Sequence, residues 1–172
     1  MYVMKRTVLI VFLLFSVCQV LSAQDVDIKD NNVKLGVKGG LNLTFFKVAE
    51  GINGAFGTDP EVETGYYGGV FADFNIDDNF NIQPELLYIG LNDFKFLNAP
   101  IYLKYNVDNN FDILLGPSLN YFFDFFSNKL KIRADISSAY NITSALDVHL
   151  KYTIGFQEIT PNGLFIGFGY RL

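Results

Sequence analysis

Hydrophobic and polar residues alternate along most of this chain. In 97–107 (LNAPIYLKYNV), Leu97, Ala99, Ile101, Leu103, Tyr105 and Val107 share one face, and Asn98, Lys104 and Asn106 share the other. In 145–156, Leu146, Val148, Leu150, Tyr152, Ile154 and Phe156 oppose Asp147, His149 and Lys151. A period of two places successive side chains on opposite faces of a β-strand. The same reading predicts eight strands, over 33–45, 64–75, 79–89, 95–107, 111–123, 130–140, 145–156 and 163–172. Short connections rich in Asp and Asn at 76–78, 108–110 and 141–144 suit tight turns. They alternate with other connections, the longest of which runs from Phe46 to Glu63 and is rich in glycine.

The two faces differ in a second way. Charges within the strands fall opposite the apolar stripe at Lys34, Lys38, Asp73, Glu85, Lys104, Asp112, Lys131, Arg133, Asp135, Asp147, His149, Lys151 and Arg171. Seven are basic and five acidic, with His149 additional. Near balance is what an enclosed lumen requires, because an unpaired buried charge is costly. The pattern predicts an all-β, eight-stranded, antiparallel up-and-down transmembrane barrel, apolar outside and charged inside. At eight strands the interior is just wide enough for side chains to fill it, so a salt-bridged plug is expected.

A secreted lipocalin-like barrel alternates too, with its apolar face inward around a ligand. Three features favour lipid outside. Aromatics gather where strands meet the short turns, at Phe74, Phe80, Tyr105, Phe111, Tyr140 and Tyr170, as an interfacial girdle does. Strands of this length suit a tilted membrane crossing. The last strand also closes the sequence. An even strand number puts both ends of the barrel domain on the periplasmic side, which makes the Phe46 to Glu63 connection the main external loop.

Composition sharpens this picture. Hydrophobic residues make up 50% of the 172 positions. Past the N-terminus, however, no apolar run approaches the roughly 18–20 residues of a membrane-spanning helix. That combination fits a wall in which only alternate residues meet lipid. Residues 1–23 read as a signal peptide, with Lys5 and Arg6 before an apolar core and cleavage after Ala23 or Ser22. Residues 24–32 form a polar leader and 33–172 the barrel domain. The only cysteine, Cys18, lies in the signal, so no disulfide or thiolate site is available to the mature chain. The mature chain keeps 11 basic against 18 acidic residues, about −7, which argues against a nucleic-acid partner.

GVKGGLNLT (36–44), QPELLY (83–88), APIYLKYNV (99–107), LLGPSL (114–119) and GLFIGFGYRL (163–172) together resemble the small PorT-like outer-membrane barrels. The resemblance implies an eight-stranded barrel in the cell outer membrane and no specific biochemical role. It departs at Leu172, where such barrels usually end in an aromatic residue; Phe168 and Tyr170 stand in alternating register just before it.

Candidate chemistry is sparse. Asp147, His149 and Ser137 share the inward face, but no nucleophile elbow or carboxylate pair accompanies them, so an enzyme is not expected. A lone histidine is too little for a metal site, and no cofactor is implied. Asp59, Glu61 and Glu63 read as a solvated acidic loop. Asn42-Leu-Thr44 and Asn141-Ile-Thr143 match the glycosylation pattern, which is frequent by chance. Pro84 and Pro117 fall inside strands of a wall that has no edges, and bulges are expected there. The expected role is structural or interactive, with lipid and lipopolysaccharide around a monomeric barrel and the barrel-assembly machinery met during biogenesis. The external loop is a contact surface for a protein partner. A small channel is the alternative.

Overall fold

The computed structural model describes residues 33–46, 61–92, 94–123, 129–156 and 161–172. The expected signal peptide, the leader and most of the long loop, Asp59 included, lie outside the described residues.

Eight strands form one closed antiparallel barrel: β1 Val33–Phe46, β2 Glu61–Asn75, β3 Phe80–Gly90, β4 Lys95–Asp108, β5 Phe111–Phe122, β6 Leu130–Asn141, β7 Leu146–Gly155 and β8 Asn162–Arg171. Each pairs with its sequence neighbours, and β8 returns to β1 through Gly36↔Arg171 to Phe45↔Asn162. The Leu172 amide donates to the Leu35 carbonyl at 2.9 Å and the Arg171 amide to Ala145 at 2.7 Å, so β8 is stitched on both sides. β1 and β2 run further than the alternation suggested. Glu61 and Glu63 therefore belong to a strand, not to the loop.

The turns explain themselves locally. The Asp77 carboxylate accepts the amides of Asn79 and Phe80, each at 2.8 Å, and ties β2 to β3. Thr143 Oγ1 does the same for Ala145 and Leu146 between β6 and β7. Short polar side chains close such turns by mimicking a backbone acceptor.

Orientation is unambiguous. Ile101, Leu103 and Leu150 are 58%, 51% and 47% exposed, whereas Lys104 and His149 are 5% and 4% exposed. The barrel is inside out relative to a water-soluble one, and the lipocalin-like arrangement is excluded. Where an inward side chain is bulky, glycine makes room for it: Gly36 of the adjacent strand lies under the Phe71 ring, and Gly167, two strands away, under the Tyr67 hydroxyl.

The bulges expected at Pro84 and Pro117 are absent. Register is unchanged past both, and a shift occurs instead at Asn106/Asp108, beside a turn. The reason lies in a third proline. Pro100, in β4, neighbours both of the others: Pro84 pairs with Ile101, and Pro100 with Ser118. Pairing lapses between Phe71/Glu85 and Phe74/Ile82, between Pro84/Ile101 and Leu87/Asn98, and between Pro100/Ser118 and Leu103/Leu115. The missing donors are gathered into one seam across β2–β5, and no strand needs an extra residue at a proline.

Candidate functional site

The lumen is a layered interior. Nearest the short turns, Lys104 bridges Asp73 at 2.8 Å and Asp112 at 3.3 Å. Asn81 donates to Asp73 and Asn141 to Asp112. Arg171 reaches Asn141 Oδ1 at 2.8 Å and Asp147 at 3.4 Å. Further in, Lys38 meets Glu85 at 2.5 Å, and Gln83 donates to the same carboxylate oxygen. His149 is held between Asp147 at 3.1 Å and the Tyr67 hydroxyl at 2.6 Å. Lys151 contacts Asp135 at 3.0 Å and also Asn98. Asp135 accepts from Ser118 at 2.8 Å and Tyr102 at 3.3 Å as well. Charges removed from water survive only with such saturation of lone pairs and protons.

Most of the charged residues expected in the lumen are brought together here. Three differ. Lys34 is exposed at the turn-end rim, because β1 begins one residue before it. Lys131 is only half-buried, near the other mouth. Arg133 is buried, and among the described residues no carboxylate is paired with it; its guanidinium carbon lies 5.4 and 5.2 Å from the ring centroids of Phe96 and Phe122. The expected network held charges alone, whereas Asn98, Tyr102, Gln83, Ser118 and Asn120 complete it. Inward register was the signal that could have found them.

Towards the long loops the interior changes character. Tyr67, Leu87, Ile89, Leu91, Phe96, Phe122 and Phe165 form a buried apolar cluster. The plug is therefore part salt bridge and part aromatic. At the turn end the barrel opens into a polar cup of about 730 Å3, with Asn75, Asn81, Asn106, Lys34, Lys104 and Arg171 among its walls.

The catalytic grouping considered from sequence does not assemble. The Ser137 hydroxyl donates to the Leu150 carbonyl at 3.1 Å, and His149 is occupied by Asp147 and Tyr67. Among the described residues, no three His, Cys, Asp or Glu side chains are placed to hold a metal ion. Asn42 is fully buried and accepts the Thr44 hydroxyl at 2.6 Å, so that glycosylation pattern is out of reach.

On the outer wall, Phe74, Phe80, Tyr105, Phe111, Tyr140 and Tyr170 are all exposed near the turns, and the Phe80 and Tyr105 rings meet at 5.1 Å. A second exposed group that the sequence reading missed, Tyr66, Tyr88, Tyr121 and Phe123, stands near the loops. Between the two groups lies a belt of Ile, Leu and Val.

The closed eight-stranded barrel has solved counterparts among small outer-membrane proteins. The attachment invasion locus protein Ail of Yersinia pestis, in complex with the heparin analogue sucrose octasulfate, matches with a TM-score of 0.53 at 13% identity, covering 82% of this chain and 99% of that one. Neisserial surface protein A matches with a TM-score of 0.53 at 14% identity over 80% and 96%. A de novo designed transmembrane β-barrel matches with a TM-score of 0.51 at 14% identity over 81% and 93%. At such identities the likeness is one of fold. No protein-family model matches the chain, and no curated protein does.

Proposed function

We propose that this is an integral outer-membrane β-barrel with a structural or interaction role, exported by a cleaved signal peptide and folded as a monomer by the barrel-assembly machinery. One observation carries the reading: Ile101, Leu103, Leu115, Ile132 and Ile166 are exposed on the outer wall, while Lys104, Asp112, Arg133 and Asp135 on the opposite face are buried. Water does not stabilise such a surface, and hydrocarbon does. Within this reading the short turns and the polar cup face the periplasm. The connection between Phe46 and Glu63 faces outward as a contact surface amid lipid and lipopolysaccharide. The strand motifs support placement with the PorT-like barrels, without any transfer of a secretion role. The engaged partners of His149 and Ser137 support a non-enzymatic protein with no cofactor.

Cell fractionation with a gel comparison of unheated and boiled samples tests this directly. The expected outcome is recovery with outer membranes and a mobility that changes on boiling, as for a closed barrel resistant to detergent. Release from cells without detergent overturns it.

A channel is the second reading, favoured by the cup. The apolar cluster across the loop-end half opposes it, because a path dry on one side does not conduct ions. Stable conductance in planar bilayers would decide for the channel.

A further inference from the structure

The polar cup at the turn end is polarised. Its floor is saturated: Lys104 holds Asp73 and Asp112, and Asn81 and Asn141 donate to the same two carboxylates. Above the floor the charges separate by sign. Arg171 of β8 pairs with Gly36 of β1, and Lys34 is the next inward position of β1 toward the turn end. The two cations therefore stand side by side on neighbouring strands. Arg171 Nη2 is tethered to Asn141 at 2.8 Å and to Asp147 at 3.4 Å, which fixes the guanidinium at the wall. The carboxylates are elsewhere. Asp78 lies in the β2–β3 turn, and Asp108 ends β4. In the closed strand order the β4–β5 pair is four strands from the β8–β1 pair, so Asp108 stands across the mouth from the two cations. A register shift between Asn106 and Asp108 bends the chain at that point, as bulges beside binding sites do. Between the two poles the wall is made of amides, at Asn79, Asn106, Asn109, Asn110 and Asn141. Each offers both a donor and an acceptor.

We propose that the cup is a binding site for a short peptide carrying a free ammonium and a free carboxylate. Lys34 and Arg171 take the carboxylate, Asp108 and Asp78 take the ammonium, and the asparagines serve the peptide groups between. Charge-assisted hydrogen bonds at both ends fix the direction of the ligand. Size agrees with this. Eight strands spaced ~4.8 Å apart and tilted by ~40° make a ring about 16 Å across at the backbone. Side chains reaching in from both walls leave about 7–10 Å, the length of two or three extended residues. The cup volume of about 730 Å3 falls in the range of small-ligand sites. A sugar would use the amides, leave both charged poles idle and find no aromatic ring among the described lining residues. The site goes beyond the outer-membrane reading and does not depend on it. Under that reading the cup opens to the periplasm, where such peptides are free or joined to the cell wall.

Proton–nitrogen NMR spectra of the full chain in detergent report on the site through its asparagine side-chain amides. Titration with trialanine is expected to move the Asn106 and Asn110 signals to saturation. Acetylating the amino end or amidating the carboxyl end is expected to weaken binding about tenfold or more, since each removes one charged contact. Lys34→Met is expected to weaken trialanine by about the same factor and to leave the amidated peptide unaffected. Asp108→Asn, which keeps an acceptor for the Asn109 amide, is expected to spare only the acetylated peptide. Both side chains are exposed, and unchanged signals from buried Asn98 and Asn120 verify that the variants fold. Equal affinity for blocked and unblocked peptides, shifts that never saturate, or equal binding of cellobiose overturns the site. Contacts between residues 24–32 and these amides in the free protein overturn it too. Retention on cell-wall sacculi that trialanine competes away supports the site with the wall as its source of peptide; saturable binding of trialanine without retention supports it with a free peptide. Recovery of the protein outside membranes would sink the membrane reading and leave these titrations standing.

Discussion

Gly167 shows how single positions set what the lumen can hold. A Cβ there would press on the Gly39 carbonyl and on the Tyr67 hydroxyl that holds His149. Gly167→Ala is therefore expected to destabilise the barrel by about 1–3 kcal/mol, the usual cost of overpacking. Gly68 is the control. A Cβ there meets nothing closer than the Lys38 carbonyl at 3.8 Å. Gly68→Ala is expected to stabilise by about 0.4–1 kcal/mol, since it restricts the unfolded chain at no native cost. Urea titration of both variants by tyrosine fluorescence checks the contrast, and equal effects would refute the steric argument. The buried pair Lys38–Glu85 calls for a different test. Lys38→Met strands a buried carboxylate and is expected to cost about 3–5 kcal/mol, whereas Lys38→Met with Glu85→Leu is expected to recover most of that loss. A double-mutant cycle measures the coupling. If the double variant is as unstable as the single one, the loss does not come from a stranded Glu85 carboxylate.

Strands were the most legible feature of the sequence, for a physical reason. A wall with opposite solvents on its two sides forces every residue to declare a face, and β5 and β7 show it in unbroken inward–outward alternation. Face assignment says nothing about what a side chain meets across the barrel. Phe96 and Phe122 are stacked at 4.7 Å through the register of β4 on β5, and Tyr67 of β2 reaches His149 of β7 through closure of the sheet. The apolar plug was therefore hidden although each member's inward position was readable. Arg133 faces inward as its register implies, yet among the described residues no carboxylate is paired with it, because a charge count cannot assign partners. The prolines misled differently. Each was judged within its own strand, and their pooling depends on the register between strands. That seam carries a prediction of its own. Segments 83–86 and 99–102, where pairing lapses, are expected to exchange amide hydrogens faster than 148–153 and 164–169, where the β7–β8 ladder is continuous. Hydrogen exchange read by mass spectrometry on the folded protein measures this. Uniform protection would show that the seam closes in solution.

At the scale of the whole molecule, the two aromatic groups define a belt whose height can be compared with a bilayer. On β4, Leu97 pairs with Tyr88 and Tyr121, and Tyr105 pairs with Phe80. The eight steps from Leu97 to Tyr105 span about 26 Å along a strand rising ~3.3 Å per residue, or about 20 Å in height at a tilt of ~40°. That is close to the apolar band of about 25 Å found on outer-membrane barrels. Ile101 lies midway along this span, and Val107 lies beyond the turn-end girdle; both side chains are exposed. Both sites are exposed apolar positions on the outer face of β4 at different depths, so they separate lipid from water as the outer solvent. Ile101→Arg is expected to cost about 2–4 kcal/mol, and Val107→Arg only about 0–1 kcal/mol, in keeping with the depth dependence of charge on a lipid-facing wall. Reversible urea unfolding in phospholipid vesicles measures both. For a barrel bathed in water, each substitution replaces one exposed side chain by another, and both stay within about 0.5 kcal/mol of the parent. A gradient from Ile101 to Val107 therefore requires hydrocarbon around the waist of the barrel, and its absence would remove the lipid from this picture while leaving the salt-bridged interior in place.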